Sequence, residues 1–268
     1  MPDIISNSRI YDETGEYGAN QCSPNMLATS DKEEYALLCS IVKKSFPDMA
    51  QEEIDTFILK LRKEACGYAA MVNSLFEEFI DYPDEFLSTF GVSLFRYDGS
   101  LNYNPILVDL YCKRDNYSGG RFLFWTWDFY VKNEDRIWKD EDKDGKYEWV
   151  DRPFGNMEAQ LKYRWETYCK SFGIRAKVSL ISTVTPKNFS TYRKKGYISV
   201  LARNYKMTDD KGSVTTVTGG HYMSITGVTE DKMKYVVSSW GKRYYLDPKD
   251  VKGYLGYQLV TYKKKKHS

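Results

Sequence analysis

Cys66 opens the apolar run ACGYAAMVNSLFEEFI, and the residues that follow it, Gly67, Ala69 and Ala70, are small. A thiol at a helix start can become a nucleophile, because the open N–H groups and the positive end of the helix dipole stabilise its thiolate. It also needs a base to hold and return a proton. The chain has two histidines, His221 and the tail residue His267, so His221 in the strand-like GHYMSITGV is the one serious candidate. A third group should orient the imidazole. Ser238, in KYVVSSWG, is favoured, because hairpin pairing brings the end of that strand back beside the start of the His221 strand. Asp247, which ends KRYYLD, is the alternative carboxylate if the turn through Gly241 folds that strand over the site.

A second pattern is acidic. DEDKDGKYEWVD places Asp140, Asp142, Asp144, Glu148 and Asp151 at positions one, three, five, nine and twelve of a loop, with Gly145 at six and the Lys146 carbonyl at seven. That is the spacing of a calcium-binding EF-hand loop. Helical flanks are not evident, so a structural calcium clip in a hairpin is expected over a sensor, with a plain acidic hairpin tip as the other reading.

The elements that must position these residues run helices first and strands last. Asp31 precedes EEYALLCSIVKKSF, whose apolar positions Tyr35, Leu38, Cys39 and Val42 recur at helix spacing, and Ile54, Phe57, Ile58 and Leu61 repeat the pattern. The Cys66 helix follows. A helix over MEAQLKYRWETYCKSF ends at Gly173, and Pro186 opens a short one that stops at Gly196. YISVLARNY, GHYMSITGV, KYVVSS, KRYYLD and YQLVTY then read as strands. This is an α+β order. Residues 1–30 read as an irregular N-terminal arm, residues 31–262 as one domain with an aromatic-rich insertion around 85–155, and 263–268 as a basic tail.

With 39 basic and 37 acidic side chains the net charge is +2, which recruits neither nucleic acid nor an anionic membrane. No segment reaches the roughly 18 apolar residues of a membrane span. The chain as given reads as cytoplasmic, or as secreted within a longer protein. Five cysteines, Cys22, Cys39, Cys66, Cys112 and Cys169, cannot all pair internally, and a reduced state is expected. No cofactor is required by this reading, apart from the calcium the acidic loop offers.

Three segments carry a resemblance. ACGYAAMVNSLF resembles the nucleophile helix of papain-like cysteine peptidases, GHYMSITGV their histidine strand, and VVSSWGKRYY their Asn-Ser-Trp-Gly segment, in the same order. Bacterial members such as the bacteriocin-leader (double-glycine) peptidases are similar in kind. The resemblance covers residues 66–80 and about 186–262. It implies a papain-like fold with the nucleophile helix among N-terminal helices and a C-terminal antiparallel β-sheet. It further implies a thiol hydrolase that cleaves peptide or amide bonds through a thioester on Cys66, with His221 as its ion-pair partner and Trp240 packed over the imidazole. The substrate would be a protein or peptide. In the effector or toxin module of a bacterial protein, an inhibitor or immunity protein would be a further partner. Two departures stand out: Ser238 occupies the position of the family's Asn, and Lys60 that of its oxyanion glutamine, for which the resemblance leaves Gln21, in GANQCSPN, as the substitute. The alternatives are a glutamine deamidase using the same site, or a degenerate fold that binds protein without catalysis.

Overall fold

The computed structural model describes residues 8–10, 16–113, 157–182 and 184–263, with short strands at 4–6, 121–122, 125–126, 136–139 and 148–151. In chain order these form β1 (Ile4–Ser6), α1 (Ser23–Ser30), α2 (Lys32–Ser45), α3 (Gln51–Glu64), α4 (Cys66–Phe79), α5 (Pro83–Phe90) and α6 (Tyr103–Cys112). β2 (Arg121–Phe122), β3 (Trp125–Thr126), β4 (Arg136–Lys139) and β5 (Glu148–Asp151) come next, then α7 (Met157–Ser171), β6 (Arg175–Ile181) and α8 (Phe189–Arg193). The chain finishes in β7 (Tyr197–Asp209), β8 (Val214–Thr229), β9 (Tyr235–Ser239), β10 (Lys242–Leu246) and β11 (Leu255–Lys263). The α+β class is therefore observed.

The helices begin where their caps dictate. The Asp31 carboxylate accepts from the backbone N–H groups of Glu33 and Glu34 at 3.1 and 3.0 Å, satisfying donors that the first turn of α2 leaves open. α3 and α4 are separated by the single residue Ala65, so Cys66 is the first residue of α4. α4 is largely buried. Met71, Val72, Leu75 and Phe76 are fully buried, and the slim face at Gly67 and Ala70 lies on β8. A side chain at Gly67 would meet Leu161 of α7 and the Tyr222 ring, which explains the need for small residues there.

Seven strands form an antiparallel sheet in the order β1-β8-β9-β10-β7-β11-β6, and β7 also pairs with β8. Because β10 returns to the end of β7 through Tyr244↔Asp209 and Tyr245↔Thr208, the strands β7, β8, β9 and β10 close into a ring. One apolar cluster fills that ring, including Val200, Met223, Ile225, Tyr235, Val237 and Leu246. The larger cluster lies between the sheet and the helices and takes in Tyr222, Leu201 and Val260 from the other strand face. Alternation along each strand thus decides which core a residue joins.

Two expectations about these regions need correction, and one strand was not anticipated. The arm before residue 31 is not wholly irregular: β1 pairs with the end of β8, and α1 starts with Pro24 in its first turn, where a missing N–H costs nothing. The stretch from residue 85 begins as helix, since α5 ends on the left-handed Gly91 and α6 buries Ile106, Leu107, Val108 and Leu110. β6, an edge strand paired with β11, was not anticipated, although Arg175, Lys177 and Ser179 alternate there with Ala176, Val178 and Leu180; Val178 is its one fully buried residue. Of residues 114–155, only the strands β2 to β5 are described. Among the described residues, no helix is long and apolar enough to cross a membrane.

Candidate active site

One helix start, one strand and the segment before α1 meet at a single site. α4 delivers the cysteine, β8 delivers His221, and the segment before α1 delivers Gln21; all three line one small cavity of about 10 Å³, the space of about one water. Ala69, Asn73, Ser238, Ser239 and Trp240 complete most of its wall. The β8–β9 ladder runs only as far as Ser224↔Ser238, so the edge of β8 before Ser224 is not covered by β9. The Cys66 sulfur sits at that uncovered edge, with the backbone N–H of Tyr222, the residue after His221, directed to it.

The strand geometry at His221 is unusual. β7 and β8 pair as Ala202↔His221 and Arg203↔Gly220, then resume at Tyr205↔Val217 across a bulge. Asn204 (φ 53°) and Gly219 (φ 94°) take left-handed backbone there, and the Gly219 N–H donates to the Asn204 carboxamide oxygen at 3.0 Å. Gly at one position and Asn at the other are the residue types that tolerate this conformation. The long hairpin therefore bends immediately before the histidine.

His221 is buried at 6% exposure. Its Nε2 lies 2.7 Å from the Ser239 hydroxyl, and its ring stacks on Trp240 with centroids 4.5 Å apart and planes 21° off parallel. The stacking matches the expectation for Trp240. It is imposed by the turn between β9 and β10, where Lys242↔Ser239 leaves a two-residue loop of Trp240 (φ 51°) and Gly241 (φ 70°). Such a loop favours Asn or Gly first, so Trp240 holds a strained conformation at the site.

Ser238 does not meet the imidazole. His221 alternates with Met223 and Ile225 on the ring side of the sheet, and Ser239 shares that side with Val237, whereas Ser238 faces the helices. There the Ser238 hydroxyl donates to the Tyr17 carbonyl at 2.6 Å and receives the Asn73 amide at 3.2 Å. Asn73 also donates to the Ser224 hydroxyl at 3.0 Å and accepts the Ala19 N–H at 2.7 Å, tying α4, two strands and the arm together. Asp247 is farther still. Lys242 pairs with Ser239, and five residues of strand, about 16 Å, separate it from Asp247. The Asp247 carboxylate instead caps a short 3-10 turn at Pro248–Asp250 by accepting the Lys249 N–H at 2.9 Å.

Gln21 is buried, and its Nε2 donates to the Arg62 carbonyl at 2.7 Å, leaving the second amide hydrogen of that nitrogen for the cavity. Lys60 is exposed on α3 and takes no part.

The electrostatics run against an ion pair at rest. Burial pushes the Cys66 thiol up, and the N–H groups of Tyr222, Gly67 and Cys66 itself pull it only part of the way back, although the residue as a whole is half-buried. Burial lowers the His221 imidazole to about 4. A neutral thiol beside a neutral imidazole is the resting state at pH 7.

Ser239 and Asn73 were not singled out from sequence. Strand alternation separates Ser239 from Ser238 only once the register is known, whereas Asn73 was legible as the lone amide on an apolar helix face. Of the acidic loop, Asp140, Asp142, Asp144 and Lys146 lie outside the described residues. Glu148 and Asp151 lie on β5, paired as Lys139↔Glu148 and Arg136↔Asp151, so strands flank the loop. Among the described residues, no group of three or more His, Cys, Asp and Glu is arranged to hold a metal. The chain is an α+β protein with a cysteine and a histidine at one cavity. No protein-family model and no curated protein matches it.

Proposed function

We propose that the protein is a papain-like thiol hydrolase acting on a peptide or amide bond of a protein substrate. The observation that carries this reading is the convergence of Cys66, at the first turn of α4, and buried His221, on β8, upon one cavity. His221 acts as general base: with both groups neutral, it takes the thiol proton as sulfur attacks the substrate carbonyl carbon. The tetrahedral oxyanion is received by the Cys66 N–H and the Gln21 amide. Imidazolium then returns the proton to the leaving amine, and water hydrolyses the thioester. Ser239 orients the ring and Trp240 excludes water from it. The same steps on a glutamine side chain release ammonia, so the chemistry serves a deamidase equally.

The test is incubation of a peptide library with wild type, Cys66→Ala and His221→Ala, followed by mass spectrometry. New peptide termini identify a peptidase, and conversion of glutamine to glutamate a deamidase. Products that persist in the Cys66→Ala protein sink the proposal.

The raised thiol and the small size of the cavity favour a second reading, in which the fold binds protein without catalysis. Cys66 reactivity separates the two. In the hydrolase, a peptide carrying an electrophilic carbonyl labels Cys66 faster than iodoacetamide does, and His221→Ala removes the advantage; in the binding module neither reagent distinguishes Cys66.

A further inference from the structure

Asn73 lies seven residues after Cys66, two turns and about 10 Å along α4, and therefore on nearly the same face of the helix. It is buried, and its partners dictate how the carboxamide is turned. The Ala19 backbone N–H can only donate, so Oδ1 faces it at 2.7 Å. Both Nδ2 hydrogens are then directed to hydroxyls, Ser224 at 3.0 Å and Ser238 at 3.2 Å.

The partner that matters for the site is Ala19. Residues 17–21 form a strap before α1 in which Tyr17, Ala19 and Gln21 are buried, and Ala19 and Gln21 both line the cavity of Cys66 and His221. At its upstream end the strap is pinned to the β9–β10 turn: the Tyr17 N–H donates to the Gly241 carbonyl at 2.9 Å, and the Ser238 hydroxyl to the Tyr17 carbonyl at 2.6 Å. Gly18 follows in left-handed backbone (φ 79°), and a side chain there would meet the Ser238 hydroxyl and the Asn73 carboxamide. Downstream, the Gln21 amide reaches the Arg62 carbonyl of α3. Between these ends, the hydrogen bond from Ala19 to Asn73 ties the strap to the helix that carries the nucleophile.

An oxyanion donor is useful only at the right distance from the attacking sulfur, and a misplacement of about 1 Å forfeits much of its effect. Asn73 and Cys66 share one rigid helix, so the height of the strap over α4 fixes where Gln21 stands relative to the thiol. We propose, resting on the hydrolase reading, that Asn73 is a positioning residue that holds the strap down and thereby places the Gln21 amide beside Cys66. Leucine at this position offers no acceptor to Ala19, and aspartate no donor to the two hydroxyls.

The test has a structural and a kinetic arm, both on the full chain. In protein carrying isotopically labelled glutamine, the Gln21 side-chain amide is assigned by its absence from the NMR spectrum of Gln21→Ala. In Asn73→Ala its exchange with water accelerates about tenfold or more. Ser224→Ala removes one partner of Asn73 but leaves the tie to Ala19, so it lowers the melting temperature without that acceleration. Gly18→Ala pushes the strap off Asn73 without altering α4 and reproduces the acceleration, which gives the same reading if Asn73→Ala does not fold. The kinetic arm compares two reagents at Cys66. With acetyl-alanyl-glycinal, sulfur adds to the aldehyde carbon and the thiol proton passes to the aldehyde oxygen, which occupies the oxyanion position; iodoacetamide loses iodide and needs no such position. Asn73→Ala and Gln21→Ala each slow the aldehyde about tenfold or more relative to iodoacetamide, and the double variant stays within about twofold of Gln21→Ala, because Asn73 acts through Gln21. A Gln21 amide unmoved in both Asn73→Ala and Gly18→Ala, or losses that multiply in the double variant, overturn the proposal. Wild-type protein that ignores the aldehyde sinks the hydrolase reading instead, and the structural arm alone then decides whether Asn73 places Gln21.

Discussion

His221 Nε2 and the Ser239 hydroxyl are 2.7 Å apart on the same face of adjacent strands, and both are buried. The ring is thereby held with its other nitrogen, Nδ1, left for a different partner, and the proposed hydrolase needs that nitrogen for the Cys66 proton. A hydrogen bond of this kind contributes about 1 kcal/mol. In that reading, Ser239→Ala lowers kcat roughly fivefold to tenfold and leaves KM little changed.

Ser238→Ala has a different signature. It removes the donor to the Tyr17 carbonyl and an acceptor for Asn73, both buried, so the melting temperature falls by the equivalent of about 1–3 kcal/mol. Parallel kinetics and thermal melts of the two alanine variants check the assignment. A kinetic loss confined to Ser238→Ala would return the orienting role to Ser238.

Burial of neutral His221 makes stability depend on pH. The imidazole titrates near 4 in the folded protein and near its ordinary 6.5 in the unfolded chain, so the unfolded chain binds the proton first as pH falls. Its contribution is fully present above about pH 6.5, is lost progressively towards pH 4, and changes no further below that. The loss is about 3 kcal/mol. Denaturant melts at intervals between pH 7 and 4 measure it, and His221→Gln flattens that part of the profile. Equal slopes in the two proteins would show that the imidazole is not desolvated.

Trp240 trades backbone strain for cover over the imidazole. Trp240→Asn places a residue that accepts left-handed backbone in the turn and removes the stacked indole. The expected outcome is a His221 pKa that rises from about 4 towards 6.5, read by NMR titration of the ring protons, with the fold retained. An unmoved pKa would assign the desolvation to the surrounding strands alone.

Residues 140–151 carry in sequence the acidic spacing of a calcium loop. If Asp140, Asp142 and Asp144 bind the ion, millimolar calcium raises the melting temperature by preferential binding to the folded state, and Asp144→Ala abolishes the rise. A melting curve indifferent to calcium leaves a plain acidic hairpin.

The sequence by itself determined the elements whose signals are local. The cap at Asp31, the apolar spacing of Ile54, Phe57, Ile58 and Leu61, the small residues after Cys66 and the run of late strands were all legible, because each follows from a few neighbouring side chains. Even the stacking of Trp240 on His221 could be anticipated from a short motif. Tertiary structure alone decided which serine meets the histidine. A shift of one residue on a strand moves a side chain to the opposite face, and that parity is set by the ring closure of β7 to β10 and by two bulges, none of which has a local signature. It also decided the charge state of the site. A cysteine at a helix start invites a thiolate, but the cost of burying charge depends on everything packed around it, including the arm and α7, which are distant in the chain.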